Sequence, residues 1–371
     1  MKGTIGMKYD KSMEGMIELA AALRAELGRV VIGQEAVLDL VLAGVLCQGH
    51  ILLEGVPGIG KTLIARTAAA TMALEYRRLQ FTPDLMPADI IGTSMLDETG
   101  GGYKLRFEQG PVFANIVLAD EINRASPKTQ SALLEAMQER SVTVRGATMA
   151  LPSPFMVLAT QNPLEMEGTY PLPEAQIDRF MFKVVLEHPS HAELSGILEQ
   201  SVGLGEPVAR VVASAEALLD LQKACRQVVA PPDLVSFVSR LVLATQPGRP
   251  DSPARVRSYG RYGAGPRGAQ SLLLAAKAAA LLAGRFHAGI ADVERFVLPA
   301  LRHRVSVNFE AQIDGVKPED LIQDALVYAH SHADQVPGLG PRAEAVAVPS
   351  AAAPGTAAGG GTPAAAAAGR V

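Results

Sequence analysis

The chain has 371 residues and 48% apolar content, enough for two compact domains or for one large domain with a tail. Its net charge of −4 and pI near 6.0 exclude a protein built mainly to coat nucleic acid. The N-terminus has no apolar signal core and no segment has the apolar length of a membrane span. The two cysteines, Cys47 and Cys225, stand in apolar helical contexts without metal-ligating neighbours, which fits core packing in a reducing, cytoplasmic compartment.

In chain order, residues from about 15 to 48 read as helices broken at Val30-Val31-Ile32-Gly33, with Gln34 in the break. The apolar run Ile51–Leu53 is then followed by Gly55-Val56-Pro57-Gly58-Ile59-Gly60-Lys61-Thr62-Leu63 and a helix-prone segment. Strand, glycine-rich loop and helix form the setting of a phosphate-binding loop. Its glycines let successive N–H groups turn toward β- and γ-phosphates, and the helix start adds its positive end. Lys61 would place a charge between those phosphates, and the Thr62 hydroxyl would be a Mg²⁺ ligand. The pattern implies a nucleoside triphosphate site.

From Ile51 to about Phe182, β-type runs alternate with helical ones, as in a parallel sheet covered by helices. The remaining runs are Tyr76–Phe81, Ile116–Ala119, Phe155–Thr160 and Phe180–Leu186. Two hairpins interrupt them, Thr93–Phe107 and Ser141–Leu151, the second turning at Gly146. Ile116–Ala119 ends in Asp120-Glu121, two acids at the carboxyl edge of a buried strand. Asp120 would hold Mg²⁺ through water. Glu121 would act as general base on the attacking water, a role worth roughly 10²–10⁴ in rate. An acidic pair after a strand commonly just caps the next helix, but here the phosphate-binding loop lies upstream in the same sheet pattern, which favours the catalytic reading. The next helix starts at Ser126-Pro127. Asn162, after the strand Phe155–Thr160, is placed to position water or touch the γ-phosphate. Arg179 precedes the last strand and becomes a reactive-site candidate only if subunits form a ring.

After about residue 190 helical periodicity takes over, with a loop rich in Pro, Arg and Gly between Pro247 and Gly265. Gly265-Pro266 starts a long apolar helix with Arg267 in its first turn, free to face the nucleotide from a second domain. From about Val336 the chain is mostly Ala, Gly and Pro, a composition expected to stay disordered. The reading is α/β: an αβα parallel-sheet domain over residues 1–190, a smaller all-α domain over 191–335, and a tail over 336–371.

These elements, in this order, resemble the AAA+ ATPases of the helix-2-insert clade. The runs Phe81–Thr93, Gly110–Glu139, Leu158–Phe180 and Val293–Ala311 resemble the MoxR family, so that the likeness spans roughly residues 15 to 330. The resemblance implies a nucleotide domain and a helical lid assembled as a homo-oligomeric, usually hexameric, ring. Gly55 through Leu63 become the Walker A set, Asp120 and Glu121 the Walker B pair, and Asn162 sensor 1. Arg179 becomes the arginine-finger candidate and Arg267 sensor 2, acting on its own or a neighbour's nucleotide. Val31 to Gln34 would lie near adenine, and the two hairpins would face the pore or a partner. Gly265 and Gly268 depart from the family turn, which usually carries Ser and Ala there.

The activity so implied is Mg²⁺-dependent ATP hydrolysis that remodels, activates or loads cofactors into client proteins, with a von Willebrand factor A-type partner. Two alternatives stand beside it. One is a DNA-dependent motor using a basic loop of Arg249, Arg255, Arg257 and Arg261, although no appended DNA-binding domain accompanies it. The other is a scaffold that binds ATP without hydrolysing it, which would need none of Glu121, Asn162 and Arg179.

Overall fold

A five-stranded parallel sheet forms the centre of the computed structural model, which describes residues 11–99, 102–163, 168–202 and 207–332. The expected tail lies outside these residues. Two helices come first, α1 (Met13–Val30) and α2 (Glu35–Cys47), separated at the expected break. The Ser12 hydroxyl accepts from Gly15 N–H and so caps α1. The sheet-bearing region runs β1 (Ile51–Glu54), α3 (Lys61–Thr71), β2 (Tyr76–Gln80), α4 (Pro87–Ile91), β3 (Gly92–Thr99), β4 (Gly102–Gln109) and β5 (Ile116–Asp120). After a short 3-10 turn come α5 (Pro127–Glu139), β6 (Ser141–Val144), β7 (Ala147–Ala150), β8 (Met156–Gln161), α6 (Glu174–Ile177) and β9 (Phe182–Val185). The strand order is β2-β5-β8-β1-β9, with all four pairings parallel. The β3–β4 and β6–β7 hairpins stand apart as two-stranded antiparallel sheets.

Strand alternation divides the core in two. Ile51, Leu53, Leu118 and Leu158 pack on one face with α1, α2 and α3, whereas Leu52, Val117, Ala119, Val157 and Leu79 pack on the other with α5. Both faces being covered explains why the central strands read as unbroken apolar runs. Leu133, Leu134 and Met137 of α5 are buried in that second core, and Ser126 caps the helix by accepting from Thr129 N–H.

The helical region comprises α7 (His191–Val202), α8 (Ala215–Gln227), α9 (Pro232–Ala244), α10 (Ala254–Tyr259), β10 (Gly260–Tyr262), α11 (Pro266–Leu282), α12 (Ile290–Glu294), α13 (Val297–Leu301), β11 (Ser306–Val307), α14 (Phe309–Ile313) and α15 (Pro318–Ser331). The expected loop at 247–265 therefore carries an unforeseen helix and strand. Local composition did not reveal α10 because tertiary contacts hold it. Val256 is fully buried, Arg255 clamps Asp324 of α15 at 2.8 and 3.0 Å, and β10 pairs with the distant β11. The apolar segment in α11 packs against α2 and α9, and no helix among the described residues is long and apolar enough to cross a membrane. Cys47 and Cys225, both buried, meet where α2 packs on α8, and the Cys47 thiol is pushed well above its usual range by its hydrogen bond to Cys225 and by burial.

His50, just before β1, ties three elements together. Its Nε2 donates to Met137 O of α5 at 3.0 Å, and its Nδ1 accepts from Val157 N–H of β8 at 3.0 Å. That pattern needs the neutral ring, and burial lowers the pKa to about 4. With the folded pKa below the unfolded 6.5, the unfolded chain binds more protons between those values, so stability is lost as pH falls from 6.5 toward 4. Replacing His50→Gln should flatten the urea-unfolding free energy over that range by about one proton's worth of slope. An unchanged slope would remove His50 from the acid sensitivity.

Candidate nucleotide site

Four strands end at one level, and the site is built on that edge. The register pairs Gln80 with Asp120, Ala119 with Ala159, and Glu54 with Gln161. The loop after β1, the acids at the end of β5 and the polar residues at the end of β8 therefore lie side by side, as expected for ligands of open α/β sheets.

In the loop after β1, Gly58 and Gly60 have φ of +82° and +96°, a conformation costly to any residue with a Cβ. Gly60 is the N-cap of α3, so the helix begins at Lys61. The Lys61 ammonium donates to Gly55 O at 2.7 Å and to Gln161 O at 3.5 Å, which holds it across the mouth of the loop. Gly58, Gly60, Lys61, Thr62, Asp120, Glu121 and Asn162 line one cavity of about 390 Å³. A second cavity of about 440 Å³ adjoins the same loop, lined by Val31, Ile32, Gln34, Val56, Ile59 and Leu63 together with α7 residues. The first is polar and suits phosphates and a metal; the second is mostly apolar and of a size to take a base.

Around the acids, the Thr160 hydroxyl donates to Asp120 Oδ1 at 2.6 Å and accepts from Glu121 N–H at 2.8 Å. Glu121 sits in the left-handed region at φ +56°, a local strain that its backbone bond to Thr160 helps to hold. Its carboxylate accepts from Gln80 Nε2 at 2.8 Å and from Arg124 at 3.0 Å. Asp120 Oδ2 accepts from Arg78 at 2.7 and 3.0 Å. A Thr62 hydroxyl and a carboxylate facing one polar cavity are the oxygen donors a magnesium ion prefers, so the residues fit that metal.

The two arginines lie elsewhere. Arg179 and Arg267 line a third cavity, of about 230 Å³, with Asp178, Arg304 and Cys47, and neither lines the phosphate-side cavity. Arg267, expected to act on its own or a neighbour's nucleotide, thus lies outside the phosphate-side cavity of its own subunit. Arg267 pairs with Asp178 at 3.4 Å, and Arg304 holds that carboxylate at 2.7 Å while donating to the carbonyls of Asp178, Phe180 and Met181. This brace fixes the segment that carries Arg179. The basic loop is also partly neutralised, since Arg249 pairs with Asp251 and Arg255 with Asp324.

Sequence reasoning missed Arg78, Gln80, Thr160 and Arg304. Arg78 and Gln80 share a face of β2 because they are two residues apart, and the spacing Arg-Leu-Gln was a signal for that. What contiguous sequence did not offer was the pairing of β2 with β5.

Comparison with known proteins matches the arrangement. Residues 50–182 match the model of the ATPase family associated with various cellular activities, and residues 252–325 match the AAA lid domain. The chain belongs to the MoxR family of AAA+ ATPases. It is 44% identical over 301 residues to Chaperone MoxR1 of Mycobacterium tuberculosis, covering 81% of this chain and 79% of that one. It is 40% identical over 323 residues to the protein YeaC of Bacillus subtilis, covering 86% and 96% of the two chains. A crystal structure from Cytophaga hutchinsonii superposes with a TM-score of 0.79 at 38% identity, covering 84% of this chain and 94% of that one. As a MoxR-family protein, the chain is an ATPase with a parallel-sheet nucleotide domain and a lid.

The Thr160 bridge carries a direct prediction. Thr160→Val keeps the shape but leaves the Glu121 N–H without its acceptor, so stability should fall by about 1–3 kcal/mol in urea unfolding. ATP turnover should fall with it, because both acids lose an anchor. Unaltered turnover would show that Thr160 does not position them.

Proposed function

We propose that this MoxR-family ATPase hydrolyses ATP with Mg²⁺ in a ring of identical subunits, usually six, and uses the turnover to remodel or activate client proteins. The observation that carries this reading is the grouping of Arg179 with Arg267 in a cavity apart from the P-loop. Arginines held away from their own phosphate site support a reading in which they serve the nucleotide of a neighbouring copy.

In this reading the adenine lies among Val31, Ile32 and Gln34, and the phosphates curl under Gly55 to Leu63. Lys61 moves from the Gly55 carbonyl to the β- and γ-oxygens. Thr62 and, through water, Asp120 would hold Mg²⁺, which neutralises phosphate charge when bound. Glu121 takes the proton of the attacking water, and Asn162 orients that water against the terminal phosphate. Arg179 and Arg267 of the adjacent subunit stabilise charge on the transferring phosphoryl group. Residues 1–190 act as the nucleotide domain, 191–335 as the lid, and the whole works in the cytoplasm.

The β3–β4 hairpin is the contact for a partner of the von Willebrand factor A type. Met95 and Leu96 expose apolar side chains midway along β3, which supports docking there. The neutralised arginines of the 247–265 loop give the DNA-motor alternative no added support.

Two experiments test the proposal. Glu121→Gln should lower turnover by about 10²–10⁴ while ATP still binds, and Arg179→Ala should lower it by about 10³ or more. Mixing the two inactive variants should restore activity, since one subunit then supplies the base and its neighbour the arginine. No recovery at any mixing ratio would sink the shared-site reading. Shortening the Thr93–Phe107 hairpin should abolish partner activation and leave ATP turnover intact, and unimpaired activation would remove the hairpin from that role.

A further inference from the structure

Arg78 stands on the edge strand β2 with its side chain half exposed, yet it reaches the phosphate-side cavity and donates twice to Asp120 Oδ2. The other Asp120 oxygen is held by the Thr160 hydroxyl at 2.6 Å. Both oxygens of the carboxylate proposed to hold the metal are therefore engaged by side chains of this chain. A half-exposed ion pair at a sheet edge adds little to stability, so folding alone does not require the contact.

A guanidinium and a hydrated divalent cation compete for the same lone pairs of Asp120 Oδ2, because each needs the oxygen as acceptor or ligand. The Thr160 bond does not compete in this way, since it uses the opposite oxygen and points into the sheet end. Arg78 is thus the group that must yield. Its neighbours in the cavity are Gly58, Gly60, Lys61 and Thr62, the lining proposed for the phosphates. A planar fork of donors released there meets the oxygen geometry it fits best.

We propose that Arg78 is a metal-displaced phosphate ligand: it holds Asp120 until Mg²⁺ arrives with ATP, and the metal then transfers it to the terminal phosphate. The inference rests on the nucleotide-site reading above. Metal arrival and cation delivery become one event, so ATP without metal gains nothing from Arg78. Gln80 accepts from Arg78 Nη2 at 2.6 Å and donates to Glu121 at 2.8 Å. The same displacement therefore loosens the group that holds the general base.

The test compares wild type, Arg78→Ala and Arg78→Gln in the full-length chain, with fluorescent ATP and ADP analogues and with Mn²⁺ alone. Wild-type binding of both analogues first establishes the site; its absence would overturn the site reading and this inference together. With Mg²⁺ present, both variants should bind the ATP analogue about tenfold or more weakly, the worth of one charge-assisted contact, and bind the ADP analogue as wild type does. In EDTA, ATP-analogue affinities should be equal across the three proteins. Mn²⁺ binding to nucleotide-free protein, read by electron paramagnetic resonance, should tighten in the variants, because Asp120 is no longer occupied. An unchanged Mn²⁺ affinity, or an ATP-affinity loss of equal size with and without metal, overturns the proposal. Equal ADP affinities and coincident thermal transitions show that the variants are folded.

Discussion

The parallel register of β2, β5, β8 and β1 is the constraint on which the site depends. A slip of one residue in any pairing would turn that strand's side chains to the opposite face. Gln80 would no longer face Glu121, and Thr160 would no longer reach Asp120 Oδ1. Burial on both faces, with Leu118 and Leu158 on one side and Val117, Ala119, Val157 and Ala159 on the other, holds the strands together, and the polar contacts at their ends pin the register. The His50 bridge from α5 to β8 fixes the same level from the opposite strand end.

Charge in the site is balanced in pairs and carbonyl contacts. Lys61 rests on carbonyl oxygens, Asp120 on Arg78, and Glu121 on Gln80 and Arg124. Each contact can be exchanged for one with phosphate, metal or water without unfolding anything, because Arg78 and Arg124 are half exposed. Arg304 is the contrast. Its side chain is nearly inaccessible, five hydrogen bonds hold it, and burial pulls its pKa down while Asp178 opposes that shift. It braces, where Arg78 is exposed enough to exchange.

The motifs that sequence made legible are those whose chemistry is local. Gly55–Thr62, Asp120-Glu121 and the Arg145-Gly146 turn each carry their conformation in consecutive residues, the last with φ of +51° and +82°. Contiguous runs also announced the sheet and both hairpins. What escaped were groups whose role exists only across a pairing. Arg78 and Gln80 read as ordinary charged and polar residues of an edge strand until β2 lies beside β5. α10 escaped for the same reason, since Arg255 anchors it to α15, 65 residues or more away. Arg267 was legible as a helix-start arginine, but its neighbour Asp178 lies 89 positions distant, so its orientation could not be read.

Strand β2 is also the link between the acids and the β3–β4 hairpin. Immediately after Gln80, Phe81 donates its N–H to Asp120 O at 2.9 Å and buries its ring fully. The chain then passes through α4, whose Ile90 is buried in the same core and whose Ile90 O accepts from Val112 N–H just beyond the end of β4. At Gly92, where β3 begins, φ is +99° and an added Cβ would lie 2.2 Å from Glu108 O, so the two hairpin strands meet backbone to backbone at their root. Between Gln80 and that root the path is short, a loop of six residues and a helix of five, tied by the Phe81, Leu85 and Asp89 backbone hydrogen bonds and by the buried Phe81 and Ile90. The hairpin root and the strand whose side chains hold both acids are thus joined through contiguous hydrogen-bonded and buried groups, the physical route by which a partner at the hairpin would bias the site. If a partner bound at the hairpin loosens Arg78 from Asp120, linkage requires that loosening Arg78 strengthen that partner's binding by the same free energy.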